Sequence, residues 1–416
     1  MFVGLSLAIG VVVIQSTAIY RFCAVVLLLS GLGPSVECAQ AQTQAQTQRN
    51  DGTHWPTLHG DLQRSGFYPS FPKGPLKVAW RIELHKELTG TRAEVIVADG
   101  NAYLGTYAGR MYAWDAATGV QKWAYDTAGP IMHSPMYAAG LLYFASMDRK
   151  VYAVDASTGK LRWSYKADEG FWSSPTVWGG RVMIGDRNGV FHALDSATGK
   201  CVWERQTGAP ILNTASVTAD GRFVIFASED MHAYCLGINN GKLIWKSPKM
   251  HGLSVRDHFP VIASDVAIFT TNPVLGFHEA LDRHQAMMLK WAGFGDKKKT
   301  VGKLRRYIPY SKQGVAQEQA KFLEYLEAHS DEQSFYAFGL GDGKQPWVAP
   351  IAYTGGLHNP PTPPCYNPKV GQVYVYTRSA YGVWDGGGEV RPYTGVGKLD
   401  VKTGRGELII HGHKSK

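Results

Sequence analysis

YAWDAATGVQKWAY at residues 112–125, YAVDASTGKLRWSY at 152–165 and HALDSATGKCVWER at 192–205 are three copies of one phrase. Their turn glycines, Gly119, Gly159 and Gly199, are 159 − 119 = 40 and 199 − 159 = 40 residues apart. A fixed period of about 40 residues with strand patterning is the signature of a propeller or a solenoid.

One repeat resolves into short strands. In the third copy SPTVW, RVMIGD, GVFHALD and CVWERQ are runs rich in β-branched and aromatic residues, separated by GG, RNG and SATGK turns. Such runs read as antiparallel strands, and no window keeps a helical apolar period. Four strands make one propeller blade, so the chain is expected to be all-β. Asp115, Asp155 and Asp195 suit a turn closed by side-chain acceptance of downstream N–H groups. The glycine supplies the positive φ of a tight turn. Trp123, Trp163 and Trp203, each four residues after its glycine, suit packing between neighbouring blades. These anchors are therefore expected to be structural.

Three weaker copies follow. FVIFASEDMHAYCLGINNGKLIWKS carries Gly241 and Trp245, with Gly237 where the Asp would stand. SFYAFGLGDGKQPWVAP carries Gly343 and Trp347. GVGKLDVKTGRGELII carries Asp400 and Gly404, with Leu408 at the Trp position. An orphan outer strand, LKVAWRIEL with Trp80, precedes the first full copy. That makes six blades of four strands plus one strand without a blade. Either the ring, of seven or eight blades, closes atypically, or the chain stops short of a longer parent; the second is the preferred expectation.

The [Y/H]-A-x-D-x-x-T-G-x-x-x-W phrase resembles the tryptophan-docking repeat of pyrroloquinoline-quinone (PQQ)-type propellers. HWPTLHGDLQRSGFYP, residues 54–69, is similar to the leader before the first blade of many secreted members. The resemblance is strong over 54–250 and weaker over 332–410. It implies a fold that hosts quinone-dependent dehydrogenases, the propeller lipoprotein of the outer-membrane β-barrel assembly machinery, and secreted proteins without cofactor. The Trp-Asp strand end of WD repeats does not recur: it stands in the first of the three copies, as Trp114-Asp115, and not in the second or third.

Residues 1–41 read as a secretory signal: two apolar runs, 2–19 and 22–33, then AQA at 39–41. Retention of 2–19 as a membrane anchor is the alternative. Residues 42–53 form a polar linker and 54–416 the propeller. Localisation is thus secreted or periplasmic. Beyond the signal, Cys201, Cys235 and Cys365 are too few for a disulfide framework, although Cys201 and Cys235 fall in neighbouring blades. The formal charge of +9 favours anionic partners, such as an envelope protein or an acidic polysaccharide. No nucleic-acid module is present.

Strand order separates the faces. If strands alternate outwards from the axis, the links between blades share one face with the loops between second and third strands. The anchor turns lie on the other. Residues on the first face, where innermost strands begin, are the ligand-binding candidates: Arg92, His133, Trp172, Asn213, Arg256, Asp257, His258, His358 and Asn359. The loops add Tyr107, Asp148, Arg149, Asp186, Arg187 and Glu229. No catalytic residue or metal ligand is assigned and no cofactor is expected. The alternative is a PQQ-dependent alcohol or sugar dehydrogenase with calcium, in which Trp172 would stack on the quinone and Asp257 would act as base. The adjacent cysteine pair frequent in such enzymes is missing.

Residues 277–331 interrupt the repeat, with helical patterning over 280–291 and 315–329 and a basic stretch, Lys297 to Arg306, between. Its His278, Glu279, Asp282 and His284 do not share one helical face, which argues against a metal site. The expectation is a binding or scaffold propeller.

Overall fold

A computed structural model describes residues 54–68, 75–90, 93–256, 259–272, 324, 326–330, 333–349, 363–378 and 394–411. The expected signal and linker lie outside the described residues. So does the 277–331 insertion except Glu324 and 326–330, of which 326–328 are helical.

The described chain is built from antiparallel meanders. The first sheet holds β1 (Ile96–Ala98), β2 (Asn101–Gly105), β3 (Arg110–Asp115) and β4 (Gln121–Asp126). The second holds β5 (Met136–Ala138), β6 (Leu141–Ser146), β7 (Lys150–Asp155) and β8 (Leu161–Lys166). The third holds β9 (Thr176–Trp178), β10 (Arg181–Gly185), β11 (Val190–Asp195) and β12 (Cys201–Gln206). The fourth holds β13 (Ser216–Val217), β14 (Phe223–Ser228), β15 (His232–Gly237) and β16 (Leu243–Lys246). The fifth holds β17 (Val261–Ala263), β18 (Val266–Thr270) and β19 (Phe335–Gly339). The sixth holds β20 (Cys365–Asn367), β21 (Gln372–Arg378), β22 (Thr394–Asp400) and β23 (Gly406–His411). These are the six propeller blades. The described fifth has three strands rather than four: Pro346 and Pro350 flank Trp347, and a proline cannot donate to a ladder.

Two compact units divide the chain. One comprises Met1–Leu62, Tyr68–Ile211 and Ile238–Gly241; the other comprises Gln63–Phe67, Leu212–Gly237 and Lys242–Lys416.

Within each unit the anchors do one job. Asp155 Oδ1 accepts from the N–H groups of Ser157 and Thr158 and from both their hydroxyls. Asp115, Asp195 and Asp400 make the same turn. The glycines that follow have φ of 64–73° at Gly119, Gly159, Gly199, Gly241, Gly343 and Gly404. Each also carries an indole from the preceding repeat: a Cβ on Gly159 would lie 2.7 Å from the Trp123 ring. Trp80, Trp163, Trp203, Trp245 and Trp347 seat in the same way on Gly119, Gly199, Gly241, Gly343 and Gly404. Every one of these indole N–H groups donates to a turn carbonyl, on Ala116, Ala156, Ser196, Ile238, Leu340 or Val401, at 2.8–3.0 Å. Opposite the indoles on the third strands stand small residues: Ala113, Ala153, Ala193 and Cys235. A register shift follows each of them, so the bulge is itself part of the repeat.

Trp80 thus seats on the first blade as an outer-strand residue would, while residues 75–84 join no described sheet. Cys201, Cys235 and Cys365 are free thiols.

Two outcomes follow for solution work. Trp163→Ala should lose about 3–5 kcal/mol of unfolding free energy, and Gly199→Ala about 1–3 kcal/mol, both read by denaturant titration; losses below about 0.5 kcal/mol would remove the seam from its structural role. Hydrogen bonds from Ser157 and Thr158 hold the Asp155 carboxyl down at about 2, against an ordinary 3.8. Its contribution to stability is therefore complete above pH 3.8 and is lost as pH falls towards 2; a carboxyl-carbon NMR titration with an ordinary midpoint would contradict this.

Candidate functional site

The links between blades and the loops after the second strands lie at one end of the sheets, hydrogen-bonded to each other. Ile131 N donates to Thr106 O, Phe171 N to Ser146 O, and Ile211 N to Asp186 O. Returning bonds run from Ala167 N to Arg149 O and from Arg187 N to Gly170 O. The anchor turns join third and fourth strands at the opposite end of each sheet. The two-face reading therefore holds within each unit.

The carboxylates of this face hold the loops. Asp148 accepts from Lys150 N, Ala128 N and the Tyr152 hydroxyl, the last at 2.6 Å. Asp230 repeats the pattern with His232 N, the Tyr234 hydroxyl and Lys246 Nζ. Burial works to raise the Asp230 carboxyl, but these donors outweigh it and hold it below the usual range. In the first blade Glu87 takes the Tyr112 hydroxyl. Asp186, 1 % exposed, accepts from Asn188 N and Val190 N and faces His192 Nε2 at 3.0 Å. Glu229 accepts from the Ser254 hydroxyl and Val255 N. In each of the first four blades a third-strand Tyr or His meets a carboxylate, a regularity visible in the sequence as Tyr112, Tyr152, His192 and Tyr234.

The sequence-derived candidates separate accordingly. In the first unit His133 is buried, Trp172 is half-buried, and the 40-residue register aligns Ser173, not Trp172, with His133 and Asn213. In the second unit Asn213 is 2 % exposed and bonds both backbone groups of Ala227, so its amide holds the fourth blade. Arg256 is exposed. Arg92, Asp257, His258, His358 and Asn359 lie outside the described residues, as do His278, Glu279, Asp282 and His284 of the insertion.

Two loop arginines of the first unit behave differently from the acids. Arg149 and Arg187 are exposed, and neither side chain makes an ion pair among the described residues. Arg149 also holds φ at 74°, where the equivalent loop positions hold Gly109 and Gly189 at 82° and Met231 at 66°. A long β-carbon-bearing side chain there is strained by about 1–3 kcal/mol.

The leader was legible only as a preface to the first blade. It lies instead along the innermost strands. In the first unit Trp55 exchanges both backbone bonds with Val97 on β1, and Tyr137 N on β5 donates to Pro56 O. Glu94 fixes it by accepting from Trp55 Nε1 and His59 N. In the second unit Ile262 N on β17 donates to Gln63 O and Tyr366 N on β20 to Ser65 O. Arg64, 0 % exposed, donates to Ala215 O just before β13. The leader thereby bonds to the inner edges of β1 and β5 in the first unit and of β17 and β20 in the second.

A calcium-held quinone needs oxygen ligands turned towards the ion. Asp148, Asp186, Glu229 and Asp230 are turned onto N–H and O–H donors and do not fit that demand; Asp168 and Glu169, in the link between the second and third blades, are exposed. Among the described residues no group of three or more His, Cys, Asp or Glu is arranged to hold a metal ion.

Comparison with known proteins bears on the repeats. A family model described as outer membrane protein assembly factor BamB matches residues 77–148 and 127–270. BamB from Moraxella catarrhalis is similar in structure, with TM-score 0.52, 17 % identity, and coverage of 82 % of this chain and 79 % of that one. Quinohemoprotein alcohol dehydrogenase from Comamonas testosteroni gives TM-score 0.55 and 14 % identity over 90 % of this chain and 71 % of that one. A europium-containing methanol dehydrogenase gives 0.59 and 12 % over 89 % and 80 %. No curated protein matches the sequence. At these identities the solved structures share the fold with this chain, and both enzymes and an assembly factor use it. Repeats, sheets and the family match over residues 77–270 converge, and together they support a PQQ-type repeat family with a β-propeller fold.

Proposed function

We propose that this chain is a binding or scaffold propeller of the cell envelope whose loop face engages a protein partner. The observation that carries the reading is Arg149: exposed, without an ion pair among the described residues, and held at a positive φ where two sister loops use glycine and the fourth the buried Met231. Strain retained at an exposed position argues for a use outside the fold. Asp148 and Asp186 beside it are engaged in holding loops, whereas the long cations Arg149 and Arg187 are exposed and able to reach another macromolecule. Arginine is the charged residue most enriched among interface hot spots. The match to the BamB family description, and the resemblance to BamB in fold, favour an envelope protein as that partner over an acidic polysaccharide.

Quantitative crosslinking in envelope extracts tests this. Arg149→Gly should keep or raise thermal stability while weakening capture of the partner roughly tenfold, and Arg149→Gly/Arg187→Ala should weaken it further. Equal capture by the wild type and the double variant would sink the reading. The enzyme alternative has its own assay: protein incubated with PQQ and calcium should show neither a bound-quinone absorbance nor dye-linked oxidation of alcohols or aldoses. Turnover in that assay would replace the scaffold reading with a dehydrogenase.

A further inference from the structure

The third blade departs from its neighbours at one buried position. Tyr152 and Tyr234 each give one hydroxyl to one carboxylate four residues earlier, Asp148 and Asp230. In the third blade His192 replaces the tyrosine and Asn188 replaces that aspartate. The imidazole, 3 % exposed, lies between two other acids: Nε2 is 3.0 Å from Asp186 Oδ2, and Nδ1 is 2.8 Å from Glu204 Oε1. Tyr165, on the second blade's outer strand, reaches both members of the second contact, donating to Glu204 Oε1 at 2.9 Å and standing 3.3 Å from His192 Nδ1. Phe171 and Tyr165 close the ring's sides with edge contacts. Cys201 is the remaining titratable group beside Glu204.

We propose that Tyr165, Asp186, His192 and Glu204 form a proton-controlled latch between the second and third blades. The latch has two complete hydrogen-bond arrangements. With both ring nitrogens protonated, Nε2–H donates to Asp186, Nδ1–H donates to Glu204, and the Tyr165 hydroxyl donates to Glu204. When the ring gives up its Nδ1 proton to solvent, that nitrogen becomes an acceptor. The Tyr165 hydroxyl then turns to it, Nε2–H stays on Asp186, and Glu204 is released to the water that its side chain, 45 % exposed, already meets. No buried donor or acceptor is orphaned in either state, which is why the site is bistable rather than broken. The neighbours leave this proton exchange to histidine. Burial, then the hydrogen bond to Glu204, pushes the Tyr165 phenol up. Burial and Glu204 push the Cys201 thiol up to about 11. Burial alone would raise Glu204, but in the first state the bonds from Tyr165 and His192 hold it below the usual range; once released it meets water, where an ordinary carboxylate is ionised above about pH 5.

The blades that carry tyrosine provide the control, because Asn188→Asp/His192→Tyr rebuilds the arrangement of the second blade inside the third. Histidine-selective 15N NMR of the whole protein between pH 5 and 8.5 should show His192 Nε2 protonated throughout and Nδ1 losing its proton as pH rises. Glu204→Gln removes an anion in contact with the ring and should move that transition to lower pH by about half a unit or more. The thermal unfolding midpoint of the wild type should fall by about 2–4 °C more than that of the double variant over the same interval. An Nδ1 that keeps one protonation state, a transition indifferent to Glu204→Gln, or identical pH responses of the wild type and the double variant would each overturn the latch. If the double variant does not fold, the NMR measurements on the wild type and on Glu204→Gln decide alone.

Discussion

The indole seated on a glycine turn is the interaction on which the rest of this molecule depends. A strand-rich blade has two greasy faces and cannot bury both alone. Each tryptophan lays its ring on the turn of the following repeat and gives its N–H to a carbonyl of that turn. The glycine is required twice there, for its positive φ and because any Cβ would enter the indole. The aspartate fixes the turn so that the carbonyl points at the indole. Glycine and tryptophan make the joint at all six described turns, whereas the aspartate is dispensable: Gly237 and Gly339 stand at its position before Gly241 and Gly343, and both joints form.

Fixing the joint at one end of the sheets leaves the other end to vary. The loops there could have been expected to carry their acids towards a ligand. They do the reverse: Asp148, Asp186, Glu229 and Asp230 are turned inward onto backbone and side-chain donors. The reason is local. A short loop that reverses direction leaves N–H groups pointing into its own concavity, and a carboxylate satisfies several at once. What faces outward is what the loops do not need, and on the first unit that includes Arg149 and Arg187.

Some of this was legible in the chain and some was not. The period, the four-strand blade, the Asp cap, the positive φ at Gly119 and its sisters, and the interblade role of the tryptophans all follow from local chemistry repeated at a fixed spacing. The end of the sheets where interblade links meet the loops after the second strands followed from strand order. Single residues on it did not. Trp172 looked like the equivalent of His133, whereas the register aligns Ser173. Asn213 looked like a pocket lining, whereas its amide satisfies the backbone of Ala227. The leader, residues 54–67, gave no periodic signal, because a segment that follows the inner edges of several strands takes its shape from them and not from its own pattern.

By itself the sequence determined the repeating unit, since turn, strand and joint are encoded within about 40 residues each and need no distant partner. Only the tertiary structure decided which polar groups are engaged. Hydrogen bonds such as Arg64 to Ala215, Glu94 to His59 and Tyr165 to Glu204 join residues whose spacing in the chain obeys no rule. A carboxylate or a histidine is the same letter whether it faces water or a buried donor. Burial and the geometry of its neighbours decide which, and those exist only once the blades are packed.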